Sequence, residues 1–257
     1  MSGEYLISEV TNDGAVGRLT LNNPPLNVMS IEMMDEINSA LLALREDADI
    51  KVLVLRGQGR AFSAGIDVSE HTRDKITRLL QVFHRIFETI RLLDVISVAA
   101  VDGVAAAGGF ELAIGCNLVV ASESARFSLP EVRHGVFPPV ACVILPRAAP
   151  RRKAMEWILL GEQVSADELA TYGLVNRVFP DDEFDAGLEA FVEKLAANSG
   201  PVMKLARQAQ YLTYYATYEE ALYKVENLYM RELMSLSDSH EGITAFLDKR
   251  DPQWRDV

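Results

Sequence analysis

Glu111 and Glu131 are the residues whose type and surroundings first suggest acid–base chemistry in this chain. Glu111 lies in the first turn of a short predicted helix, directly after a run of small residues at positions 105–109. Glu131 follows Pro130 twenty residues later, outside any helix that could hold both glutamates. Only tertiary folding could therefore bring the two carboxylates together. Each feature also has a simpler explanation, because paired glycines often serve close packing and an acid in a first turn complements the helix dipole.

Two segments of small residues could supply backbone hydrogen-bond donors. The run at 105–109 precedes a helix, whose first N–H groups have no partner inside the helix and lie at the positive end of its dipole. The segment 57–70 follows a predicted buried strand, and a loop at such a strand end is a common ligand site. It lacks the glycine-lysine-serine/threonine ending of a phosphate-binding loop. Donors from both segments would suit an oxygen that gains negative charge.

The composition is typical of a soluble globular protein and argues against several functions. Of the 257 residues, 49% are hydrophobic and 24% are charged. The net charge of -12 argues against general nucleic-acid binding, which needs a basic surface. The four histidines are scattered without metal-ligand spacing, so we expect no metal site.

The cysteines and the N-terminal residues favour a cytoplasmic location. Cys116 and Cys142 are too few for a disulfide scaffold and both have apolar neighbours, so we expect two buried free thiols in a reducing compartment. The first ten residues lack a basic segment followed by an apolar one, and no apolar run reaches membrane length. We therefore expect no targeting segment and no association with a membrane.

Apolar periodicity predicts an α/β fold in which strands alternate with helices. Residues 5–10 and 16–21 read as a hairpin around Asn12-Asp13-Gly14, and Ser30 is expected to cap the next helix. Further strands are predicted at 51–56, 96–101, 118–121, 126–128 and 174–179, and helices at 31–44, 74–93, 110–115, 149–160 and 166–172. The recurring order favours parallel pairing. From residue 183 the chain is nearly all helical, and its amphipathic tail is expected to pack on the core or another subunit.

Four segments, in order over almost the whole chain, resemble the crotonase (enoyl-CoA hydratase/isomerase) superfamily. They read AFSAGIDV, AAVDGVAAAGGFELAIGCNLVVASESARFSLPEV, LLGEQVSADELATYGLVNRVFP and EGITAFLDKRDPQW. The resemblance implies an α/β spiral of strand-strand-helix repeats over residues 1–198, followed by a C-terminal helical trimerisation region over residues 199–257. It also implies a homotrimer or a dimer of trimers.

The same resemblance implies a substrate and a set of site residues. Crotonase-like proteins bind acyl-coenzyme A thioesters and hold the thioester oxygen with two backbone N–H groups, which match Ile66 and Gly108. Members that hydrate a double bond carry two glutamates, which match Glu111 and Glu131. In that mechanism Glu111 would act as the base toward water, and Glu131 would supply a proton to the α-carbon. Apart from the coenzyme A of the substrate, no cofactor is implied.

Coenzyme A is polyanionic, so an acidic protein needs local cations where it binds. The resemblance implies that Ala64, Phe246 and Lys249 contact the coenzyme A part of the substrate. For Lys249, an ordinary surface position on an amphipathic helix is an equally good explanation. Three cations flank the first loop and could help: Arg60, Arg73 and Lys75.

The segment after Glu131 departs from the common hydratase pattern. Pro139 lies where that pattern has glycine, and proline has no N–H to help hold a water. The segments PPLNVMSIEMM and FPPVACVILP are more similar to the cyclohexa-1,5-diene-1-carboxyl-CoA hydratases, which implies a cyclic dienoyl thioester as substrate. The acyl pocket is then expected to include Phe110, Val136, Phe137 and Pro139.

Two other classes of function remain open at this point. The same fold and oxygen-binding site could serve double-bond isomerisation or thioester hydrolysis. A non-catalytic binding or scaffold role is a further alternative, against which the acidic charge and the two glutamates argue.

Overall fold

The computed structural model describes residues 3–45, 49–214 and 216–257, so that the first two residues of the N-terminal stretch discussed above lie outside it. The strands in these ranges are β1 (Leu6–Thr11), β2 (Val16–Leu21), β3 (Val52–Gly57), β4 (Ala61–Ser63), β5 (Ile96–Val101), β6 (Val104–Ala106), β7 (Leu118–Ser122), β8 (Arg126–Ser128), β9 (Val164–Ser165) and β10 (Arg177–Phe179). The α-helices are α1 (Ile31–Arg45), α2 (Ile76–Leu92), α3 (Gly108–Gly115), α4 (Pro139–Ala148), α5 (Arg151–Leu160), α6 (Ala166–Thr171), α7 (Phe184–Ala196), α8 (Gly200–Leu212), α9 (Tyr218–Arg231) and α10 (Ser237–Asp248).

The strands form two sheets that the chain visits alternately. The larger sheet has the order β1-β2-β3-β5-β7-β10, and the smaller one has the order β4-β6-β8-β9. Strand β1 is antiparallel to β2, whereas β2, β3, β5, β7 and β10 pair in parallel. Each step takes one strand from each sheet and then a helix, as in β3-β4-α2 and β5-β6-α3. The α/β class and the parallel pairing predicted from the sequence are confirmed.

The central strands are buried on both faces. In β3, Leu53 and Leu55 join the larger hydrophobic core together with α1, α2 and α3, while Val52 and Val54 face a second cluster that includes Phe184 of α7. Alternate residues of a strand point to opposite faces, so both layers are covered. This layering places the ends of the strands, and the loops that follow them, at the edge of the core.

Local sequence signals are confirmed in the first third of the chain. Strands β1 and β2 pair from Leu6↔Leu21 to Thr11↔Val16. The Ser30 hydroxyl accepts the Met33 N–H at 3.2 Å, as expected for a helix cap.

The segment between Glu131 and α5 folds differently from the prediction. A helix was predicted from residue 149, but α4 already begins at Pro139 and precedes α5. Proline is well tolerated at a first helical position, because the missing N–H would have no partner there. On α4, Ala141 and Leu145 face the core, whereas Cys142 is exposed. The prediction that both thiols are buried is therefore wrong for Cys142 and correct for Cys116.

The C-terminal helices begin where the sequence break was predicted. The Ser199 hydroxyl accepts the Val202 N–H at 3.4 Å and caps α8. On α9 and α10 several large apolar side chains are exposed: Tyr218, Tyr223, Met230, Ile243, Phe246 and Leu247. No helix in the described ranges is long and apolar enough to cross a membrane.

A buried arginine joins α8 to the core. The Arg207 guanidinium donates to the carbonyl oxygens of Ile90, Arg91 and Leu93, at distances of 2.8–3.0 Å. Its Nε donates to Asn117 Oδ1 at 3.1 Å. Because these carbonyls lie at the end of α2, Arg207 satisfies groups that the helix itself leaves unpaired.

Candidate active site

The first predicted donor, the Ile66 N–H, lies in a loop held from both sides. Met29 N–H donates to Gly65 O at 2.8 Å, and Asp67 N–H donates to Met29 O at 3.0 Å. In this parallel bridge the Ile66 amide points away from Met29. The Gly65 amide is already used, since it donates to Ser63 Oγ at 3.1 Å. The Ile66 N–H has no acceptor among the described residues.

The second predicted donor, the Gly108 N–H, is the first amide of α3. The preceding residue, Ala107, has φ 50° and ψ -130°, a conformation that costs a non-glycine residue about 1–3 kcal/mol. Its own N–H donates to Ser128 O at 2.9 Å. Because Gly108 opens the helix, its amide has no intrahelical acceptor. The strained turn therefore leaves the Gly108 N–H available at the start of α3.

The two donor peptides are packed against each other. A Cβ added to Gly65 would lie 3.2 Å from Gly108 N and only 2.7 Å from Ala107 Cβ. A Cβ added to Gly108 would lie 3.0 Å from Ile66 Cγ1. The glycines thus permit a close approach that other residues would prevent. The structure brings together the two amides that were predicted from separate segments.

Glu111 lies three residues after Gly108 in the first turn of α3, in a buried position. The residue is 2% exposed, and its Oε1 accepts the N–H groups of Val140 and Ala141, both at 2.8 Å. These amides belong to the first turn of α4, directly after Pro139. Burial raises the pKa of Glu111 to about 7, and the nearby charge of Glu131 adds to the rise, while the two amide hydrogen bonds oppose it. The Glu111 carboxyl is therefore poised between its charged and neutral forms near neutral pH.

Glu131 lies on a 3₁₀ helix, Pro130–His134, that follows β8. Its Oε2 atom is buried and has no hydrogen-bond partner among the described residues. Burial raises the pKa of this carboxyl to about 7 as well. The thiol of Cys142 has a pKa raised first by burial and then by the charges of Glu111 and Glu131. The fold has therefore brought both carboxyls into one neighbourhood, as the sequence analysis required.

The residues predicted for the acyl pocket occupy two different environments. Phe110 is 1% exposed and packs on Phe127, with ring centroids 5.1 Å apart, so the structure places it in the core behind the site. Val136 and Phe137 are 45% and 64% exposed. Val136 N–H donates to Glu131 O at 3.2 Å, so the backbone of this exposed apolar segment adjoins that of Glu131.

The residues predicted to contact coenzyme A lie far apart in sequence. Ala64 is half-buried in the Ile66 loop, and its N–H donates to Leu26 O at 2.8 Å. Phe246 on α10 is 83% exposed, and Lys249 lies in the left-handed conformation that ends this helix, with φ 56°. The nearby loop cations differ, since Arg60 and Arg73 are exposed while Lys75 pairs with Glu70.

Sequence reasoning missed the amides of Val140 and Ala141 that hold Glu111. The available signal was Pro138-Pro139 before an apolar stretch, which is a pattern typical of a helix start. It also missed the buried charge of Glu70 in the Ile66 loop. Among the described residues, no group of three or more His, Cys, Asp or Glu side chains is arranged to hold a metal ion.

The chain matches known proteins over nearly its whole length. Residues 11–257 match the family described as Enoyl-CoA hydratase/isomerase. The chain is 34% identical over 247 residues to the human "Enoyl-CoA hydratase domain-containing protein 3, mitochondrial". This match covers 93% of the present chain and 80% of the human protein. It is also 34% identical over 249 residues to the "Probable enoyl-CoA hydratase" of Bacillus subtilis (strain 168), covering 95% and 96% of the two chains.

Solved structures agree with this match. The fold superposes on the enoyl-CoA hydratase of Mycobacterium smegmatis with a TM-score of 0.92 at 32% identity, covering 98% of this chain and 99% of that one. It superposes equally well on the human enoyl-coenzyme A hydratase domain-containing protein 3, with a TM-score of 0.92 at 32% identity. That match covers 98% of this chain and 100% of the human one. This chain therefore belongs to the enoyl-CoA hydratase/isomerase family and has its mixed α/β crotonase fold.

Proposed function

We propose that this enzyme adds water to the double bond of an α,β-unsaturated acyl-CoA thioester. Two observations together support the proposal: Glu111 and Glu131 are neighbouring carboxyls, each with a pKa of about 7, and Glu111 lies on the helix α3 that Gly108 opens against the Ile66 loop. Relatives named as enoyl-CoA hydratases over nearly full length support a hydratase-type enzyme. No metal or separate cofactor takes part in the proposed reaction, because coenzyme A belongs to the substrate.

In the proposed reaction, the amides of Ile66 and Gly108 donate hydrogen bonds to the thioester oxygen. Water attacks the β-carbon, and negative charge builds up on that oxygen as an enolate forms. Preorganised donors stabilise this charge, and losing one of them typically costs about 10²–10³ in rate. A carboxylate takes the proton of the water, and a carboxylic acid gives a proton to the α-carbon. Each such acid–base group contributes roughly 10²–10⁴-fold.

The hydrogen bonds around the two glutamates favour one assignment of their roles. Val140 and Ala141 donate to Glu111, and donors of this kind stabilise the charged form of a carboxyl. Glu131 receives only the hydrogen bond of its own backbone N–H, and its buried Oε2 has no donor among the described residues, which favours its neutral form. We therefore propose Glu111 as the base toward water and Glu131 as the acid toward the α-carbon.

The acyl group of the substrate is proposed to be a cyclic diene. Pro139 takes the first position of α4 and has no N–H, and the next two amides already donate to Glu111. This end of α4 therefore offers few further backbone donors to a water. Phe137 and Val136 add an exposed apolar surface beside Glu131. A ring would fit this environment, with Phe110 supporting it from the core. Faster turnover of crotonyl-CoA than of a cyclic dienoyl-CoA would contradict this part of the proposal.

The C-terminal region, residues 199–257, is proposed to mediate assembly into a trimer or a dimer of trimers, with residues 1–198 carrying the acyl-CoA site. The exposed apolar side chains of α9 and α10 support this role, because contact between subunits would remove their apolar surface from water. Ala64, Phe246 and Lys249 are proposed to contact coenzyme A. Sedimentation analysis tests the assembly, and a stable monomer at micromolar concentration would contradict it.

A cytoplasmic location is also part of the proposal. It rests on two unpaired cysteines and the composition of the chain. Some relatives are named as mitochondrial proteins, whereas the Bacillus subtilis relative is bacterial. Fractionation of the source cells distinguishes the two locations.

The proposed activity is tested with a panel of linear, branched and cyclic enoyl-CoA thioesters in water enriched in ¹⁸O. Hydration predicts a product heavier by one water, with the label on a carbon of the chain or ring. Isomerisation would incorporate no label, and hydrolysis would place it on the carboxylate. The absence of any turnover across the panel would favour a non-catalytic binding role and overturn the proposal.

A further inference from the structure

Glu70 is a buried carboxylate that the proposed reaction does not use. The residue is 6% exposed, although it lies only four positions after Ile66 in the same loop. A buried charge costs several kcal/mol unless it is paired and hydrogen-bonded. Its Oε2 accepts the Ile31 N–H at 2.7 Å, and its Oε1 lies 3.4 Å from Lys75 Nζ.

The partner of Glu70 is the start of a long core helix. Ile31 is the first residue of α1, whose first N–H groups have no intrahelical acceptor and lie at the positive end of the dipole. Helix α1 has 15 residues and buries Met33, Met34 and Ile37 in the core. Its first turn is therefore a firm point of attachment for the loop.

The chain around Ile31 holds the Ile66 loop at three points. Met29 accepts the Asp67 N–H and donates to Gly65 O, so the peptides on both sides of Ile66 are fixed. The hydrogen bond from Ile31 to Glu70 is the third point, and it is made by a side chain. Without it, the hydrogen bonds that the described residues make to the turn after Asp67 are those within residues 67–71 and the one from Lys75 Nζ to Glu70.

We infer that Glu70 is a positioning residue, which keeps the Ile66 N–H aimed at the thioester oxygen by fixing its loop to the start of α1. The inference rests on the proposed function, because it matters only if Ile66 is an oxyanion donor. A donor must be held near its productive direction before the charge forms. A residue that only capped α1 would contribute to stability without affecting the chemistry.

Three variants separate these roles. Glu70→Ala removes the acceptor of the Ile31 N–H, whereas Glu70→Gln keeps an oxygen acceptor and removes the charge. Glu32→Ala is the matched control, since Glu32 is also an acid in the first turn of α1 but is exposed.

The readouts are kcat, KM and the apparent pKa of a bound 3-oxoacyl-CoA, whose enolate is followed by its ultraviolet absorbance. Stabilising that enolate needs the oxyanion donors and no hydration step. We expect Glu70→Ala to lower kcat at least tenfold with KM changed less than threefold, and to raise the apparent pKa of the bound ligand by one unit or more. Glu70→Gln should stay within about threefold of wild type, since it keeps a hydrogen-bond acceptor. Glu32→Ala should match wild type, since the hydrogen bonds of Glu32 are to its own backbone and to Ser30.

An unchanged ligand pKa in Glu70→Ala, or equal losses in Glu32→Ala, would overturn the inference. If Glu70→Ala does not fold, Glu70→Asp takes its place, because the shorter side chain keeps the charge but is too short to accept the Ile31 N–H. Full activity of Glu70→Asp would likewise overturn the inference. A wild-type enzyme that fails to lower the pKa of the bound 3-oxoacyl-CoA would refute the oxyanion site itself. Failure of the proposed function is in this way distinguished from failure of the role of Glu70.

Discussion

Replacing Glu111 with glutamine should stabilise the protein above neutral pH while removing most of its activity. Burial raises the pKa of Glu111 to about 7 from an ordinary value of 4.5. The folded state therefore binds this proton more tightly than the unfolded chain. The stability linked to this group is fully present below pH of about 4.5 and is lost as the pH rises through about 7.

The size of the effect follows from the pKa. At about 1.4 kcal/mol per pKa unit, a pKa raised from 4.5 to about 7 corresponds to about 3 kcal/mol. Glutamine keeps an oxygen that can accept the Val140 and Ala141 N–H groups, so only the charge is lost. The variant should resemble wild type near pH 5 and be more stable by about 3 kcal/mol at pH 8. For a chain of this size that equals a rise in Tm of about 6–12 °C.

Urea unfolding from pH 5 to pH 8 at one protein concentration measures this difference. Glu193→Gln is the control, because Glu193 is an exposed glutamate on α7 and should give no pH-dependent gain. Hydration by Glu111→Gln should fall by about 10²–10⁴-fold. A stability gain of Glu111→Gln that does not grow with pH, or a variant less stable than wild type at pH 8, would contradict a pKa of Glu111 raised by burial.

Three further predictions concern other parts of the molecule. Gly65→Ala should destabilise the protein and abolish activity, because its Cβ would lie 2.7 Å from Ala107 Cβ. Gly59 also has a positive φ, 86° against 101° for Gly65, but open space around it, so Gly59→Ala should retain activity; thermal unfolding and turnover compare the two variants. Arg207→Met should cost about 3 kcal/mol in urea unfolding, since it leaves the carbonyls at the end of α2 without a donor, and a loss below about 0.5 kcal/mol would contradict that role. Phe137→Ala should change the free energy of unfolding by less than about 0.5 kcal/mol, because the side chain is 64% exposed. The same variant should raise the KM of a cyclic dienoyl-CoA more than the KM of crotonyl-CoA. Equal changes in the two KM values would show that Phe137 does not line the acyl pocket.

Much of the fold could be predicted because its signals are local. The turn at Asn12-Asp13-Gly14 and the cap at Ser30 each depend on a few neighbouring residues, and both occur as expected. The alternation of strands and helices likewise follows from periodicity within single segments.

The meeting of Glu111 and Glu131 could not be derived locally. It depends on β8 pairing in parallel with β6, which brings the chain after β8 alongside the start of α3. No spacing between the two residues encodes that pairing. The resemblance to a known family supplied the expectation, and the structure supplies the geometry.

The errors share a physical origin in the residues around α4. Prolines at 138, 139 and 146 obscured the helix, although Pro139 occupies a first position where its missing N–H has no cost. Because α4 was missed, the exposed position of Cys142 and the donors to Glu111 were missed with it.

The most direct test of the two-carboxyl mechanism compares kcat/KM for Glu111→Gln, Glu131→Gln and the double variant. If the two carboxyls act as a unit in the hydration of one double bond, the double variant should be about as slow as the slower single variant, since the first loss already disables that reaction. Losses that multiply in the double variant, or a single variant with near-wild-type turnover, would show that the two carboxyls do not share one reaction step.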